Sequence, residues 1–170
     1  MLRVLLVSIS GGVVRRMASE VLDEAIGVCT SDEIDLFTFS FYLDHESRAV
    51  SVCIDTDENS FAQVREQNRR TGARFAELMA DPEAGDVALW QPNLGRNTSL
   101  GDFTYVNLAR RAYVFPHSHR SVSDALLRTL FERQAEIVSL SRRPDQLLLS
   151  ASTPDDEFGI CWFPYDQISE

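Results

Sequence analysis

Two of the three histidines in this 170-residue chain lie two positions apart, in the stretch FPHSHR at residues 115–120. Along a strand, an H-x-H spacing places both imidazoles on one face, roughly 6.6 Å apart by the strand rise. Such pairs bind metal ions, but a zinc site takes three or four ligands. A metal-dependent enzyme would therefore use His117, His119 and a carboxylate such as Asp102. The third histidine, His45, lies far away in a turn, so the sequence favours a loop that leads into a helix, without metal or cofactor.

No other motif in the sequence indicates a catalytic centre. The three cysteines, Cys29, Cys53 and Cys161, form no C-x-x-C pair and are predicted to be free, buried thiols. No G-x-S-x-G elbow is present. The stretch SISGG at 8–12 opens a helix, but the chain contains no lysine, which excludes a P-loop. The residues therefore favour a binding protein over an enzyme, with no catalytic residues assigned.

The distribution of charge is more informative. The formal net charge is −10, and residues 17–64 hold eleven acids against one base, Arg48. A negative field repels nucleic acid and attracts basic proteins. We therefore predict a basic protein partner and no nucleic acid. The candidate contact residues are the acids around the predicted hairpin: Asp32, Glu33, Asp35, Asp44, Glu46, Asp57 and Glu58.

A second charged group consists of arginines on one predicted helix. Arg65, Arg69, Arg70 and Arg74 lie on one side of it and could hold a phosphate or a nucleic acid. The acidic net charge and the absence of an aromatic RNP pattern argue against this interpretation. We expect a solvated face that is partly paired with acids of the hairpin.

The N-terminal apolar run is not typical of a membrane segment. Gly11 and Gly12 interrupt it, and Arg15 and Arg16 follow directly. No stretch approaches the roughly 20 apolar residues that a membrane span needs. The sequence predicts a cytoplasmic protein without membrane contact, and it leaves the oligomeric state open.

The first third of the chain predicts a helix and a β-hairpin. Apolar residues recur at spacings of three and four over 12–27, which is typical of an amphipathic helix. The run before it, 2–9, fits either a strand or the lead-in to this helix. Aromatic and aliphatic residues alternate with polar ones over 37–43 and 50–55, which predicts two half-buried strands joined by a turn.

The rest of the chain alternates between helical and extended patterns. Residues 103–115 fit either a strand or a helix, and extended structure is favoured at both ends of this segment. The C-terminal apolar runs predict strands that are central or covered by helices. The remaining predictions are a helix over 57–80, a strand over 86–90, a loop over 91–101, a helix over 121–139, and a hairpin of strands over 146–152 and 158–163. This order predicts a single α+β domain over 1–170, with helices packed on an antiparallel-rich sheet.

The run LFTFSFYLDHESRAVSVCIDTDENS at 36–60 resembles the opening of small acidic bacterial proteins of an uncharacterised α/β type. In these, an aromatic strand turns into a second strand that ends at a helix start. The stretches DVALWQPN at 86–93 and DDEFGICWFPYD at 155–166 are similar to theirs. Such proteins are often encoded beside polymorphic toxins. The resemblance implies an immunity-type protein that neutralises a toxin by occlusion, and it implies no catalytic residue.

Overall fold

The structure, a computed structural model, describes residues 2–80, 93, 95–113, 119–153 and 156–164. For residues 2–11, 119–121 and 156–159 it describes the backbone alone. The elements follow the chain in this order: α1 (Leu2–Ser31), β1 (Thr38–Asp44), β2 (Ala49–Asp55), α2 (Asp57–Ala80), a 3₁₀ turn (Leu100–Asp102), β3 (Tyr105–Ala112), α3 (His119–Glu132), α4 (Gln134–Val138), a second 3₁₀ turn (Pro144–Gln146), β4 (Leu148–Thr153) and β5 (Asp156–Trp162).

The strands form one five-stranded sheet in the order β3-β2-β1-β4-β5. All neighbours pair antiparallel except β1 and β4, which run parallel with Thr38 opposite Leu148. The predicted class is confirmed: this is a single α+β domain with a mostly antiparallel sheet and helices packed on it. The parallel pair matters for the site, because it places the starts of β1 and β4 at the same end of the sheet.

Helix α1 is longer than the predicted 12–27. Its buried stripe continues past Gly27 to Cys29, and the run before Gly11 is helical as well. Gly27 is on the exposed side, so it costs some helix propensity without interrupting the packing. Among the described residues, no helix has both the length and the apolar character needed to cross a membrane.

One face of the sheet carries the main core. Helices α1 and α3 contact each other and both lie on this face, where they cover Phe39, Phe41 and Leu149. These three side chains are fully buried, and burying each stabilises the fold by about 1.5–3 kcal/mol. The alternation of apolar and polar residues over 37–43 therefore identifies this face correctly.

The opposite face differs from the prediction of half-buried strands. Thr38, Ser40, Ser51 and Ser150 point away from the main core, yet they are fully or almost fully buried. Leu100 and Phe103 of the 95–104 segment contribute to this cover and pack on Cys53. Small polar residues on this side therefore do not mark a solvent-facing surface.

Several local predictions are corrected. The segment 103–115, for which a strand and a helix were both open, contains strand β3 at 105–112, so its centre is extended; residues 114 and 115 lie outside the described residues. The helix predicted over 121–139 is two helices, interrupted at Arg133. Of the C-terminal strands, β4 is buried between β1 and β5, but β5 is an edge strand with exposed apolar residues. The strand predicted over 86–90 lies outside the described residues.

The cysteines are free, but they are not alike. Cys29 and Cys53 are buried, as predicted, whereas Cys161 on β5 is exposed. Burial raises the pKa of the Cys29 thiol to about 11, and it also raises the pKa of Cys53. The two buried thiols therefore stay protonated and unreactive at neutral pH.

Candidate functional site

The fold divides the seven candidate acids into two groups at opposite ends of the sheet. Asp44 and Glu46 lie at the hairpin turn where β1 ends. The other five lie where β1 begins and β2 ends, about 20 Å away by the rise of a seven-residue strand. We call this second region the acidic end. It consists of five acids and three aromatic residues: Asp32, Glu33, Asp35, Asp57, Glu58, Phe37, Phe61 and Phe163.

Asp44 has a structural role in the hairpin. Its carboxylate accepts hydrogen bonds from the backbone and the hydroxyl of Ser47, and it forms an ion pair with Arg110 of β3. The hydrogen bonds from Ser47, with the help of Arg110, lower the pKa of Asp44 to about 2. Glu46 is exposed in the same turn. Because Asp44 is already engaged, the hairpin offers a partner little unpaired negative charge.

At the acidic end, three carboxylates face solvent. Asp32, Glu33 and Glu58 are exposed, whereas Asp35 accepts a hydrogen bond of 2.8 Å from the backbone of Arg142, and Asp57 pairs with Arg143. Asp145 is exposed in the second 3₁₀ turn, next to this group along the sheet edge. The acidic end therefore retains a surplus of exposed negative charge.

The position of Glu33 runs against the local backbone preference. After α1 ends, the backbone N–H of Ile34 bonds the carbonyl of Cys29 at 2.9 Å, which closes a Schellman-type turn. Glu33 occupies the left-handed position of that turn, with φ of 53°, where glycine is favoured. It also adds a negative charge, beside Asp32, at the negative end of the helix dipole. Neither feature stabilises the fold.

Aromatic side chains form the centre of the acidic end. Phe37 is buried, and the centroid of its ring lies 5.4 Å from that of Phe61. Phe61 is an exposed residue near the start of α2. The guanidinium of Arg96 stacks 3.7 Å above the Phe37 ring and lies 5.8 Å from the ring of Phe163. Phe61 and Phe163 are 38% and 44% exposed, so each offers a large apolar surface to solvent.

Arg96 connects the strands that begin at this end. Its Nη1 donates to the carbonyl of Phe37 at 2.6 Å and to Thr38 Oγ1 at 2.8 Å, and its Nη2 donates to the carbonyl of Gln146 at 2.5 Å. Burial lowers the pKa of Arg96 to about 10, while the negative charge of Asp55 opposes that fall. Arg96 is therefore charged at neutral pH and fixes the start of β1 against the segment before β4.

The loop that carries Arg96 is itself anchored on both sides. Asn68 of α2 exchanges two hydrogen bonds with the backbone of Asn93, at 2.7 and 2.8 Å. On the other side, the backbone N–H of Asn97 donates to the buried Ser60 hydroxyl at 2.8 Å. These bonds hold the loop on both sides of Arg96.

Sequence reasoning found the acids but missed the aromatic centre. The sequence places Phe61 in the helix predicted over 57–80 and Phe163 at the end of the strand predicted over 158–163, and neither pattern indicates a shared surface. Arg96 stood in a polar loop without any pattern that distinguishes it from the other arginines. Only the tertiary arrangement brings these three residues together.

The predicted histidine pair is not tested. His117 lies outside the described residues, and His119 begins α3 without a described side chain. Asp102, the proposed third ligand, ends the first 3₁₀ turn. Within the part of the chain that the structure describes, no three His, Cys, Asp or Glu side chains are grouped as a metal site requires.

The arginines of α2 are solvated, as expected, but their partner differs from the prediction. Arg69 and Arg70 both bond Glu66 of the same helix rather than acids of the hairpin. Both arginines are about three-quarters exposed, so these pairs contribute little to stability.

Comparison of the chain with protein-family models, with curated proteins and with solved structures gives no match. The resemblance to immunity-type proteins thus stays a prediction from the sequence.

Proposed function

We propose that this protein is a non-catalytic, immunity-type binding protein that neutralises a basic toxin-like protein by covering it with the acidic end. One observation carries the proposal: two half-exposed phenylalanines, Phe61 and Phe163, stand around a fixed arginine and are bordered by exposed carboxylates. An apolar centre with a polar rim is the usual anatomy of a protein–protein interface.

The unfavourable placement of Glu33 supports the same proposal. A side chain in the left-handed region costs about 1–2 kcal/mol, and an acid at a helix C-terminus costs a further fraction of a kcal/mol. Glycine would remove both costs. Features that oppose stability are concentrated at functional sites, and here the feature adds exposed negative charge to the acidic end.

The two parts of the surface have different roles. The exposed carboxylates raise the rate of encounter with a basic partner, since steering of this kind increases association rates by roughly 10–1,000-fold. Phe61 and Phe163 slow dissociation, because aromatic anchors that become fully desolvated dominate binding energies. Arg96 stacks on the ring of Phe37, which in turn contacts the ring of Phe61.

The experiment uses the protein encoded by the reading frame next to this gene, purified as the partner, with stopped-flow association measured at low and high salt. Reversing two exposed acids of the acidic end, with Asp32→Lys and Glu58→Lys together, should slow association at least 10-fold at low salt. The matched control reverses two exposed acids elsewhere, Glu46→Lys and Glu77→Lys, and should change the rate much less. The net charge change is the same in both variants.

The anchors are tested by dissociation. Phe163→Ala should raise the dissociation rate about 30-fold, which corresponds to a hot-spot contribution of about 2 kcal/mol, and leave the association rate nearly unchanged. The proposal fails if both double variants associate equally slowly, or if association is independent of salt between 50 and 500 mM, where screening should suppress steering.

A further inference from the structure

A small pocket lies on the face of the sheet that is opposite the main core. Its volume is about 360 Å³, in the lower part of the range of small-molecule sites. Strands β1 and β2 contribute Tyr42 and Cys53 to its lining, and the first 3₁₀ turn contributes Leu100 and Gly101. None of the described residues that line this pocket belongs to the acidic end.

A bulge of the edge strand β3 forms one wall of the pocket. Three residues of β3, 106–108, stand opposite the single residue Cys53 of β2. Asn107, at the centre of the bulge, has a left-handed backbone with φ of 57°, a conformation that is uncommon for residues other than glycine. A bulge can protect a sheet edge from pairing with another strand. This bulge also places Val106 and Asn107 in the lining of a cavity, as bulges beside functional sites do.

The described lining of the pocket is uncharged at neutral pH. Burial, together with the nearby charge of Asp44, raises the pKa of Tyr42, so its hydroxyl stays protonated and can donate a hydrogen bond. Burial also raises the pKa of Cys53, and that thiol keeps its proton too. The other described lining residues have no ionisable side chain. A charged ligand would therefore lose its hydration here without gaining a counter-charge from the lining.

The lining combines polar and apolar groups. Tyr42, Thr153 and Asn107 provide two hydroxyl groups and a carboxamide, which can donate and accept hydrogen bonds. Leu100 and Val106 provide apolar surface. This combination suits a ligand that has a polar group at one end and an apolar part at the other.

The sheet beneath the pocket has unused hydrogen-bonding capacity. Ser51 is fully buried, directly opposite Tyr42 in the register and two residues before Cys53 on the same strand face. Its Oγ is close enough to the Cys53 sulfur to oppose the rise in the pKa of that thiol, but it forms no regular hydrogen bond with the described residues. Because buried polar groups are normally paired, this exception fits a binding role better than a purely structural one.

We propose that this pocket binds a small uncharged molecule that carries a hydroxyl or carbonyl group on an apolar ring or chain. The hydroxyl of Tyr42 bonds the polar group of the ligand, and Leu100 and Val106 contact its apolar part. Carboxylated, phosphorylated and cationic molecules of the same size are excluded by the uncharged lining.

This inference is independent of the proposed function, because the pocket and the acidic end share no described residue. Loss of ligand binding and loss of partner binding are therefore separate results.

The first experiment titrates the ¹⁵N-labelled full chain with three ring compounds of similar size: cyclohexanol, cyclohexanecarboxylate and cyclohexylammonium. We expect cyclohexanol to shift the amide resonances of Gly101, Asn107 and Thr153 saturably, with half-saturation below about 20 mM for so small a ligand. The two charged compounds should bind at least 10-fold more weakly, because the lining offers them no counter-charge.

The second experiment fills the pocket. An added Cβ at Gly101 meets no atom within 4 Å, and the glycine has no left-handed backbone, so Gly101→Leu has room to enter the pocket without backbone strain. It should weaken cyclohexanol binding at least 10-fold. Gly27→Leu is the matched control, because an added Cβ on that exposed position of α1 also meets no atom within 4 Å. Its affinity for cyclohexanol should equal that of the unchanged protein.

The third experiment tests the polar contact. Tyr42→Phe keeps the ring but removes the hydroxyl, and it should weaken cyclohexanol binding at least 3-fold. If Gly101→Leu does not fold by circular dichroism, Val106→Trp, which crowds the pocket from β3, takes its place with the same expectation. Four results would overturn the inference: no saturable shifts up to 100 mM cyclohexanol, equal affinity for the three compounds, an unchanged affinity of the pocket-filling variant, or an unchanged affinity of Tyr42→Phe.

Discussion

Arg96 offers the sharpest test of how the acidic end is built. Its guanidinium donates three hydrogen bonds, to Phe37, Thr38 and Gln146, and stacks on the Phe37 ring. The partly buried charge of Arg96 is balanced at longer range by the carboxylate of Asp55 rather than by a direct ion pair. Removing the side chain therefore takes away the donors and leaves a buried carboxylate without its counter-charge.

The expected loss for Arg96→Ala is about 3–5 kcal/mol in the free energy of unfolding. Each hydrogen bond to a charged group contributes about 1.5–3 kcal/mol and the ring contact about 1–2 kcal/mol, but such contributions are not additive. The carbonyl of Phe37 keeps a second donor, the N–H of Leu148, which reduces the loss.

Arg96→Lys separates charge from geometry. Lysine keeps the positive charge near Asp55 but cannot reach three acceptors from one planar group, so we expect a loss of about 2 kcal/mol. Urea unfolding followed by tryptophan fluorescence measures each loss by linear extrapolation. Arg142→Ala is the control, since Arg142 is exposed at the same end and should change stability by less than about 0.5 kcal/mol. If Arg96→Ala and Arg142→Ala have the same stability, the role assigned to Arg96 is wrong.

Three further predictions concern single positions. Glu33→Gly should raise stability by about 1 kcal/mol, because it relieves the left-handed backbone and removes an acid from the end of α1, and it should slow association with the basic partner. Gly27→Ala should raise the melting temperature by the equivalent of about 1 kcal/mol, since an added Cβ meets no atom within 4 Å and the helix continues to Ser31; a destabilised variant would mean that α1 ends at Gly27. Asp44→Asn should cost about 1 kcal/mol of stability at pH 7 and should reduce the loss of stability between about pH 4 and pH 2. The folded-state pKa of Asp44 is lowered to about 2, so the stabilisation by its carboxylate is present above the ordinary pKa and is lost as pH falls through the lowered pKa. A variant that loses as much stability between pH 4 and pH 2 as the unchanged protein would contradict this prediction.

The sequence predicts the helices and strands of this fold better than it predicts which strands pair with each other. Alternation over 37–43 and 50–55 identified β1, β2 and their hairpin, because a period of two has no helical alternative. The extent of α1 was less predictable, since Gly11, Gly12 and Gly27 suggested ends that tertiary packing overrides. Nothing local indicates that β4 pairs parallel with β1, because the partners are more than one hundred residues apart.

Residues that are far apart in the sequence also form the candidate site, which explains what sequence reasoning missed there. Counting charges along the sequence placed the seven acids in one group. In the structure, the length of strand β1 separates them into two groups at opposite ends of the sheet. Exposure cannot be read from residue type either. Phe61 falls on the apolar stripe of α2 in the sequence, but the sheet end stops short of covering it, and it is left 38% exposed.

The acidic end therefore depends on the parallel pairing of β1 and β4. Thr38 lies beside Leu148, and Leu149 lies beside Trp162, so β4 brings Gln146 and Phe163 to the end where α1 terminates and α2 begins. An antiparallel β4 would carry both residues to the hairpin end and leave Arg96 without its third acceptor. A surface assembled from five separate segments cannot form in a partly folded chain. Binding to the basic partner should consequently be lost together with the fold, and no isolated fragment such as the 36–60 hairpin should retain it.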